Sequence, residues 1–462
     1  ASDLFEARFD ERVTSELVGA GDAEGMLLAL FGVGVAAARG ACARALGATD
    51  LRELEEHGLL VEVPTWGAKE AHADAEPGSH SYGLPAGGDD GEVEAGGDDA
   101  LLASLVQVFP LSLENPCADE GGDDRGRGAE ARPGARCAAT ELLIATDWEL
   151  ESLLPAKWAT MAVGEDSLAL VHLAPLPAVG EDGAAPRVLD VCCGGGVQGL
   201  AAAARCPQAC VTCLDINERA VRACRFNAVL NALDGRVRAA VSDGYSALPG
   251  RPGGQSEREA EHSERDTRAL GGPPFDVILA NPPFVAVPPP PAHAHECAEW
   301  AAYADGGPDG TRVLSALADG ASGLLRDGGV LAIVSEYPNM ERTHEWLSVA
   351  EDMDLAVFYD PAHTLEATEY AEARASERGW PWMSAEAHLA SLEAHGVRTM
   401  GSGLAFARKV PERARAGSRT PRRAAFPLGG VDGEHGEQLS LLASSGARVR
   451  REWQAFAEGA LW

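Results

Sequence analysis

The run Asn281-Pro282-Pro283-Phe284 combines residue types whose joint chemistry is narrow. An amide or exocyclic-amine nitrogen is a poor nucleophile, because its lone pair is delocalised into the neighbouring carbonyl or ring. Asn281 can accept one N–H of such a nitrogen through its side-chain oxygen, and the Pro282 carbonyl can accept the other. Proline has no N–H and a locked φ, so that carbonyl is rigidly presented. Phe284 can stack on the planar group. The four residues are expected to form a catalytic set that works by orientation and in-line geometry rather than through a strong base. The plainer reading is a Pro-rich loop ending a strand.

A second set lies upstream. The segment DVCCGGGVQG, Asp190 to Gly199, places a carboxylate two residues before a Gly-rich turn that opens a helix. Such a turn lets the backbone approach a ligand closely. Asp215 ends the next strand, with Ile216 beside it, and Asp243 follows the third. One carboxylate for a cationic amino-acid end, one for ribose hydroxyls and one for an adenine amine describe S-adenosyl-L-methionine. Gly194, Gly196 and Gly199 also satisfy a dinucleotide fingerprint. Asp190 argues against that alternative, since a pyrophosphate would be repelled there. Each Asp alone is explicable as a cap or turn residue. The cofactor set is therefore Asp190, Cys192, Gly194, Gly196, Asp215, Ile216 and Asp243, with Asn281 bordering both sets.

These motifs resemble those of class I methyltransferases, in which an acidic residue precedes Gly-x-Gly-x-Gly. The sequence departs at Cys192, which stands at the first glycine position. Cys is small enough that the turn is expected to survive; absence of cofactor binding would mean either that Cys192 has spoiled the site or that an activating partner subunit is needed. The NPPF run resembles both the nucleic-acid adenine-N6 and cytosine-N4 methyltransferases and the release-factor glutamine methyltransferases. YADGGPDG, Tyr303 to Gly310, is similar to the segment that follows the motif in the glutamine enzymes. A wider likeness, from about Leu27 to Arg408, is to methyltransferase small domain proteins with an N-terminal helical domain. The resemblance implies Phe284 and Tyr303 as substrate-binding residues. It also implies a Rossmann-like α/β fold with a mostly parallel seven-stranded sheet flanked by helices.

The elements that must position these residues are legible as alternating strands and helices from Pro186 onward. Strands are expected at 187–191, 210–215, 237–241, 275–280, 330–335, 355–359 and 403–408. Residues 176–410 form the expected catalytic domain, with a surface insertion at 251–272. Residues 1–63 are expected to be a smaller helical or winged-helix-like domain, because DLRELEEHGLLVEV reads as a last helix and a wing strand. An acidic low-complexity insertion follows at 64–100. The rest of that domain and a linker occupy 101–175, with a second insertion at 115–138, and LLASLVQVFPLSL reads as a strand returning to the N-terminal domain. A C-terminal extension covers 411–462.

The net charge is −33 over 462 residues, with 71 acidic against 38 basic side chains. Nucleic-acid affinity normally rests on clustered Lys and Arg. Acidity therefore favours a protein or small-molecule acceptor without excluding RNA, and Arg413 to Arg423 is a local basic exception. No run is long and apolar enough for a membrane-spanning helix, so no membrane partner is expected. The ten cysteines sit mostly in apolar runs, which points to a soluble protein of a reducing compartment, cytoplasm or an organelle stroma or matrix. The chain begins at Ala1 without a leader, consistent with removal of a targeting segment, so its start says nothing about compartment. His293 to Cys297 could ligate zinc, but lacks the usual spaced pairs, and a lid over the acceptor is the preferred reading; no metal is expected. The leading expectation is methylation of a protein glutamine amide, with a release factor as candidate partner. Methylation of a base amine in rRNA, tRNA or DNA is the alternative. A non-catalytic binding module of the same fold comes third.

Overall fold

The computed structural model describes residues 22–33, 37–56, 60–63, 101–104, 106–113, 140–147, 159–174, 176, 184–248, 273–289, 303–343, 347, 349–375, 383–412 and 421–427. The expected insertions at 64–100, 115–138 and 251–272, the His293–Cys297 run and most of the basic segment and C-terminal extension lie outside them.

Short runs rich in Val, Ile, Leu and Ala form strands buried on both faces, as a parallel sheet covered by helices requires. They are β6 (Arg187–Val191), β7 (Cys210–Asp215), β8 (Val237–Val241), β9 (Phe275–Ala280), β10 (Leu325–Pro338), β11 (Met353–Glu366), β12 (Thr399–Lys409) and β13 (Arg423–Pro427). Their order is β13-β11-β12-β10-β9-β6-β7-β8. Strands β8, β7, β6, β9 and β10 run parallel, whereas β12 lies antiparallel between β10 and β11. This is the class I methyltransferase fold, with the chain moving outward from β6 and then returning to its other side through β9. β13 adds an eighth strand, parallel to β11, where the sequence reading placed only a C-terminal extension. Phe426 of β13 stacks on Phe358 with centroids 5.3 Å apart, an aromatic anchor that a lone phenylalanine in a charged tail did not advertise.

Helices α5 (Val197–Arg205) and α6 (Glu218–Leu230) cover one face, with Leu200, Val211 and Val221 in a common core. α4 (Glu165–Leu173) shares that core through Leu170 and Leu173. α7 (Arg312–Ala321) covers the other face through Leu314 and Leu317. α8 (Ala367–Ala375) and α9 (Ala385–Ala394) follow β11 and pack with Ala286 and Met400.

The N-terminal region contains α1 (Ala23–Leu27, continued by a π turn over Leu28–Val33), β1 (Ala37–Ala38), α2 (Arg39–Leu46), α3 (Ala48–Glu56), β2 (Leu60–Val63) and β3 (Leu101–Ser104). The three strands form an antiparallel sheet in the order β1-β3-β2. Met26, Leu30, Cys42, Leu51, Leu60 and Leu102 bury together. The expected helix and following strand are present, at Ala48–Glu56 and Leu60–Val63. The returning strand does not stay whole: β3 pairs with β2, while β4 (Val106–Leu113) pairs with β5 (Thr140–Asp147) as a separate hairpin. That hairpin is fastened to α6. Asn231 and Asn227, one helical turn apart, exchange hydrogen bonds with the backbone of Leu143 and Ala145 at 2.8–2.9 Å. Two side-chain amides thus do the work of a neighbouring strand.

Candidate active site

Ligands of open parallel sheets bind at the carboxyl ends of strands where the order reverses. Here that place is the junction of β6 and β9, and both expected residue sets meet there.

The turn after β6 winds through left-handed backbone at Cys192, Gly194 and Gly196, with φ of 59°, 52° and 85°. Only glycine adopts this region freely, so Cys192 keeps the turn at a steric cost. A Cβ on Gly196 would stand 2.5 Å from Cys224 Sγ, whereas one on Gly194 would meet no atom within 4 Å. Gly196 therefore serves close helix packing, and Gly194 faces the open cleft. Asp215 closes the turn from β7: its Oδ2 accepts the Gly194 N–H and its Oδ1 the Asn217 N–H, both at 2.8 Å. Burial pushes the Asp215 carboxyl above its ordinary range, and those two N–H groups pull it back. Each oxygen keeps a second lone pair for a ligand hydroxyl. Ile216 beside it is 69% exposed, an apolar surface suited to a flat ring. Asp243, after β8, is exposed on the same side.

Asp190 takes a different place from the one expected. It is fully buried, with Oδ2 accepting the Gly199 N–H at 2.8 Å and Oδ1 enclosed without a hydrogen-bond partner. Burial raises its carboxyl well above the usual range. The cause is the close approach of α5, where a Cβ on Gly199 would lie 2.6 Å from Cys213 Sγ. Asp190 ties β6 to α5 from beneath the turn, and the structure does not bring it to the cleft surface. The Cys192 thiol is likewise pushed well up, by burial and then by Asp215, Asp190 and Asp243, so it is a poor source of thiolate.

Asn281 leaves the end of β9. Its Nδ2 lies 2.9 Å from Asp166 Oδ2 and 3.3 Å from Ser167 Oγ, at the first turn of α4. A carboxylate only accepts, so the NH2 end of the amide must face Asp166 and the oxygen must face elsewhere. Neither residue stood out in the sequence, since they are 115 and 114 positions away from Asn281. The one available signal was Gly164 just before the helix: a Cβ there would strike Asp166 Oδ1 at 2.5 Å.

Phe284 and Tyr303 come together around Val285, Val287 and Met383. The Tyr303–Gly310 segment lies along the residues after the motif, with Val285 N–H donating to the Ala304 carbonyl and Gly306 N–H to the Val285 carbonyl, each at 2.9 Å. Gly310, at φ 79°, would drive a Cβ to 2.5 Å from the Phe284 carbonyl oxygen. Behind this loop, Tyr370 of α8 donates to Glu336 at 2.7 Å, and Arg374 pairs with the same carboxylate. Tyr370 stacks obliquely on the fully buried His388, with centroids 5.5 Å apart. Burial raises the Tyr370 hydroxyl, reinforced by Glu336, and lowers the His388 imidazole. None of these supporting residues was read from the sequence.

Among the described residues no group of His, Cys, Asp or Glu could hold a metal ion, no disulfide links the cysteines, and no helix is long and apolar enough to cross a membrane.

Residues 169–252 match the family model described as Methyltransferase small domain, which bears out the resemblance over β6 to β8. The release factor glutamine methyltransferase of Bordetella pertussis is 32% identical over 153 residues, covering 32% of this chain and 47% of that protein. The ribosomal RNA small subunit methyltransferase C of Pseudomonas entomophila is 35% identical over 118 residues, 26% of each chain. The crystal structure of TrmN from Thermus thermophilus aligns over 53% of this chain and 48% of its own at 19% identity and a TM-score of 0.26. The chain spans about half the length of the release-factor relatives it matches.

Proposed function

We propose that the chain is an S-adenosyl-L-methionine-dependent N-methyltransferase whose acceptor is a planar nitrogen, with the glutamine side chain of a protein, such as a translation release factor, as the leading candidate. The cofactor supplies an electrophilic methyl group on a sulfonium. Asp215 and the turn at Cys192, Gly194 and Gly196 would hold its adenosine portion, with Ile216 against the base and Asp243 near the exocyclic amine. Asn281 Oδ1 and the Pro282 carbonyl would each accept one N–H of the acceptor. That would free its lone pair from the amide. As the new C–N bond formed, the sulfonium C–S bond would break to leave S-adenosylhomocysteine, the nitrogen would lose one of its N–H protons to solvent, and Phe284 would cover the planar face.

The observation that carries this reading is the orientation of Asn281. With Nδ2 occupied by Asp166, the amide presents its oxygen, the atom that acceptor chemistry demands. Glutamine methyltransferases among the relatives support a protein acceptor, and the net charge of −33 weighs in the same direction. The ribosomal RNA relatives keep a base amine as the second reading.

The test starts with calorimetric titration of S-adenosylhomocysteine, with NAD as control. A labelled-methyl screen of release factors and glutamine peptides against total RNA follows. Binding of S-adenosylhomocysteine alone and labelling of a glutamine peptide are expected. Labelling confined to RNA would replace the protein acceptor by a base amine. A folded sample that binds neither compound would overturn the enzyme reading.

A further inference from the structure

Asn281 carries a rotor with two nearly isosteric ends, and one flip turns an acceptor of hydrogen bonds into a donor. A flipped amide would aim N–H groups at the acceptor's own N–H groups and repel it. The proposed chemistry therefore needs something that forbids the flip, and the motif itself contains nothing that does.

We infer that Asp166 is the positioning residue for Asn281, holding its Nδ2 so that Oδ1 alone is offered to the acceptor nitrogen. This rests on the N-methyltransferase reading of the site. Both Asp166 oxygens are committed: Oδ1 accepts the Ser167 backbone N–H at 2.7 Å, and Oδ2 accepts Asn281 Nδ2 at 2.9 Å. The first contact fixes the carboxylate, and the second transmits that orientation. Ser167, almost fully buried, places Oγ at 3.3 Å from the same nitrogen.

Gly164 is a separate trace of the same arrangement. Its φ of −92° is open to any residue, so the backbone does not require glycine there. What a Cβ would disturb is the Asp166 rotamer, because it would meet Oδ1 at 2.5 Å and Cγ at 3.6 Å and push the carboxylate aside. The segment leading to Asp166 is also pinned at its far end. The Thr160 N–H donates to Asp147 Oδ2 at 2.6 Å, and Asn217 Nδ2 donates to the Ala159 carbonyl at 3.4 Å. Residues 159–167 therefore form a strap that runs from beside Asp215 to Asn281.

The experiment compares Asp166→Ala, Asp166→Asn and Gly164→Ala in the full chain. It reads methyl-transfer kcat and KM, calorimetric affinity for S-adenosylhomocysteine, and the side-chain amide signals of selectively 15N-asparagine-labelled protein. The Asn281 pair is assigned from its loss in Asn281→Asp. Asp166→Ala is expected to lower kcat/KM for the acceptor by about 100-fold, with S-adenosylhomocysteine affinity held within about twofold. Asp166→Asn should recover only part of that loss, since its single amide oxygen cannot accept from both Asn281 Nδ2 and the Ser167 N–H. Gly164→Ala should fall between them, and the Asn281 amide signals should move in Asp166→Ala and Gly164→Ala.

Full turnover in Asp166→Ala would overturn the assignment. So would a parallel loss of S-adenosylhomocysteine affinity, which would make Asp166 a cofactor ligand or a purely structural residue. If the wild-type chain methylates no acceptor, the N-methyltransferase reading fails by itself. The amide signals still decide the positioning, and an Asn281 pair unmoved in Asp166→Ala overturns it.

Discussion

The two walls of the cleft are built by opposite strategies. On the wall formed by β6 and β7, nearly every contact is local: Asp215 holds Gly194 and Asn217, and Asp190 holds Gly199, all within one strand–helix–strand unit. On the wall formed by β9, the decisive contacts come from far away. Asn281 is turned by Asp166, Phe284 lies under the Gly306–Gly310 segment, and Ala286 packs against α8 and α9. A local wall can be written as a motif. A wall assembled from distant segments can be adapted to a new acceptor by changing those segments while the motif stays. The relatives this chain matches differ in whether a protein or an RNA is methylated, as their names record.

Breaking the walls one at a time gives the largest expected effect. Asn281→Ala should lower kcat by roughly 100- to 1,000-fold, the range seen when one directed polar group is lost from a preorganised site. S-adenosylhomocysteine affinity should stay within about threefold, because the adenosine contacts proposed above lie on the other wall. Asp215→Ala should do the reverse, weakening S-adenosylhomocysteine roughly 10- to 100-fold through loss of charged hydrogen bonds. Calorimetry and single-turnover transfer on both variants check the pair. Equal turnover in Asn281→Ala removes the mechanism, and unaltered affinity in Asp215→Ala removes the division into two walls.

A smaller effect, still confined to one wall, is expected of Gly310→Ala. It forces a side chain into left-handed backbone against the Phe284 carbonyl, a strain of about 1–3 kcal/mol. Thermal unfolding should report the lost stability. Transfer should fall by about tenfold or more from misplacement of the loop, while S-adenosylhomocysteine still binds. Loss of cofactor affinity equal to the loss of transfer would show that the walls are mechanically coupled.

The same contrast explains what the sequence disclosed. The strands from Arg187 to Arg408 were legible because strands buried on both faces leave unbroken apolar runs whether parallel or, like β12, antiparallel, and the Gly-rich turn because its spacing is local. Asp166 and Ser167 were illegible because an Asp and a Ser near a helix start read as capping residues, and nothing nearby names a partner 115 positions on. Asp190 was legible as a residue and misplaced as a contact, since spacing along β6 does not reveal which side of the turn its carboxylate takes. The split between β3 and β4 was equally hidden. The asparagines on α6 that hold β5 were hidden too, because their amides read as ordinary helix surface until β5 is seen against them.

Cys192 offers the finest probe of the local wall. It is a non-glycine residue at φ 59°, where an L side chain costs about 1–2 kcal/mol. Replacing it by glycine removes that cost but loosens the unfolded chain by roughly 0.5–1 kcal/mol and gives up the thiol's partial packing on the sheet core. The balance favours Cys192→Gly by only about 0.5 kcal/mol, a rise in Tm on the order of 1–2 °C for a domain of this size. The more informative reading is S-adenosylhomocysteine affinity. If the turn needs only its backbone shape, the variant should bind as well as the parent or slightly better. A clear loss would mean that the Cys192 side chain itself touches the ligand, and that the departure from glycine is a contact rather than a tolerated strain.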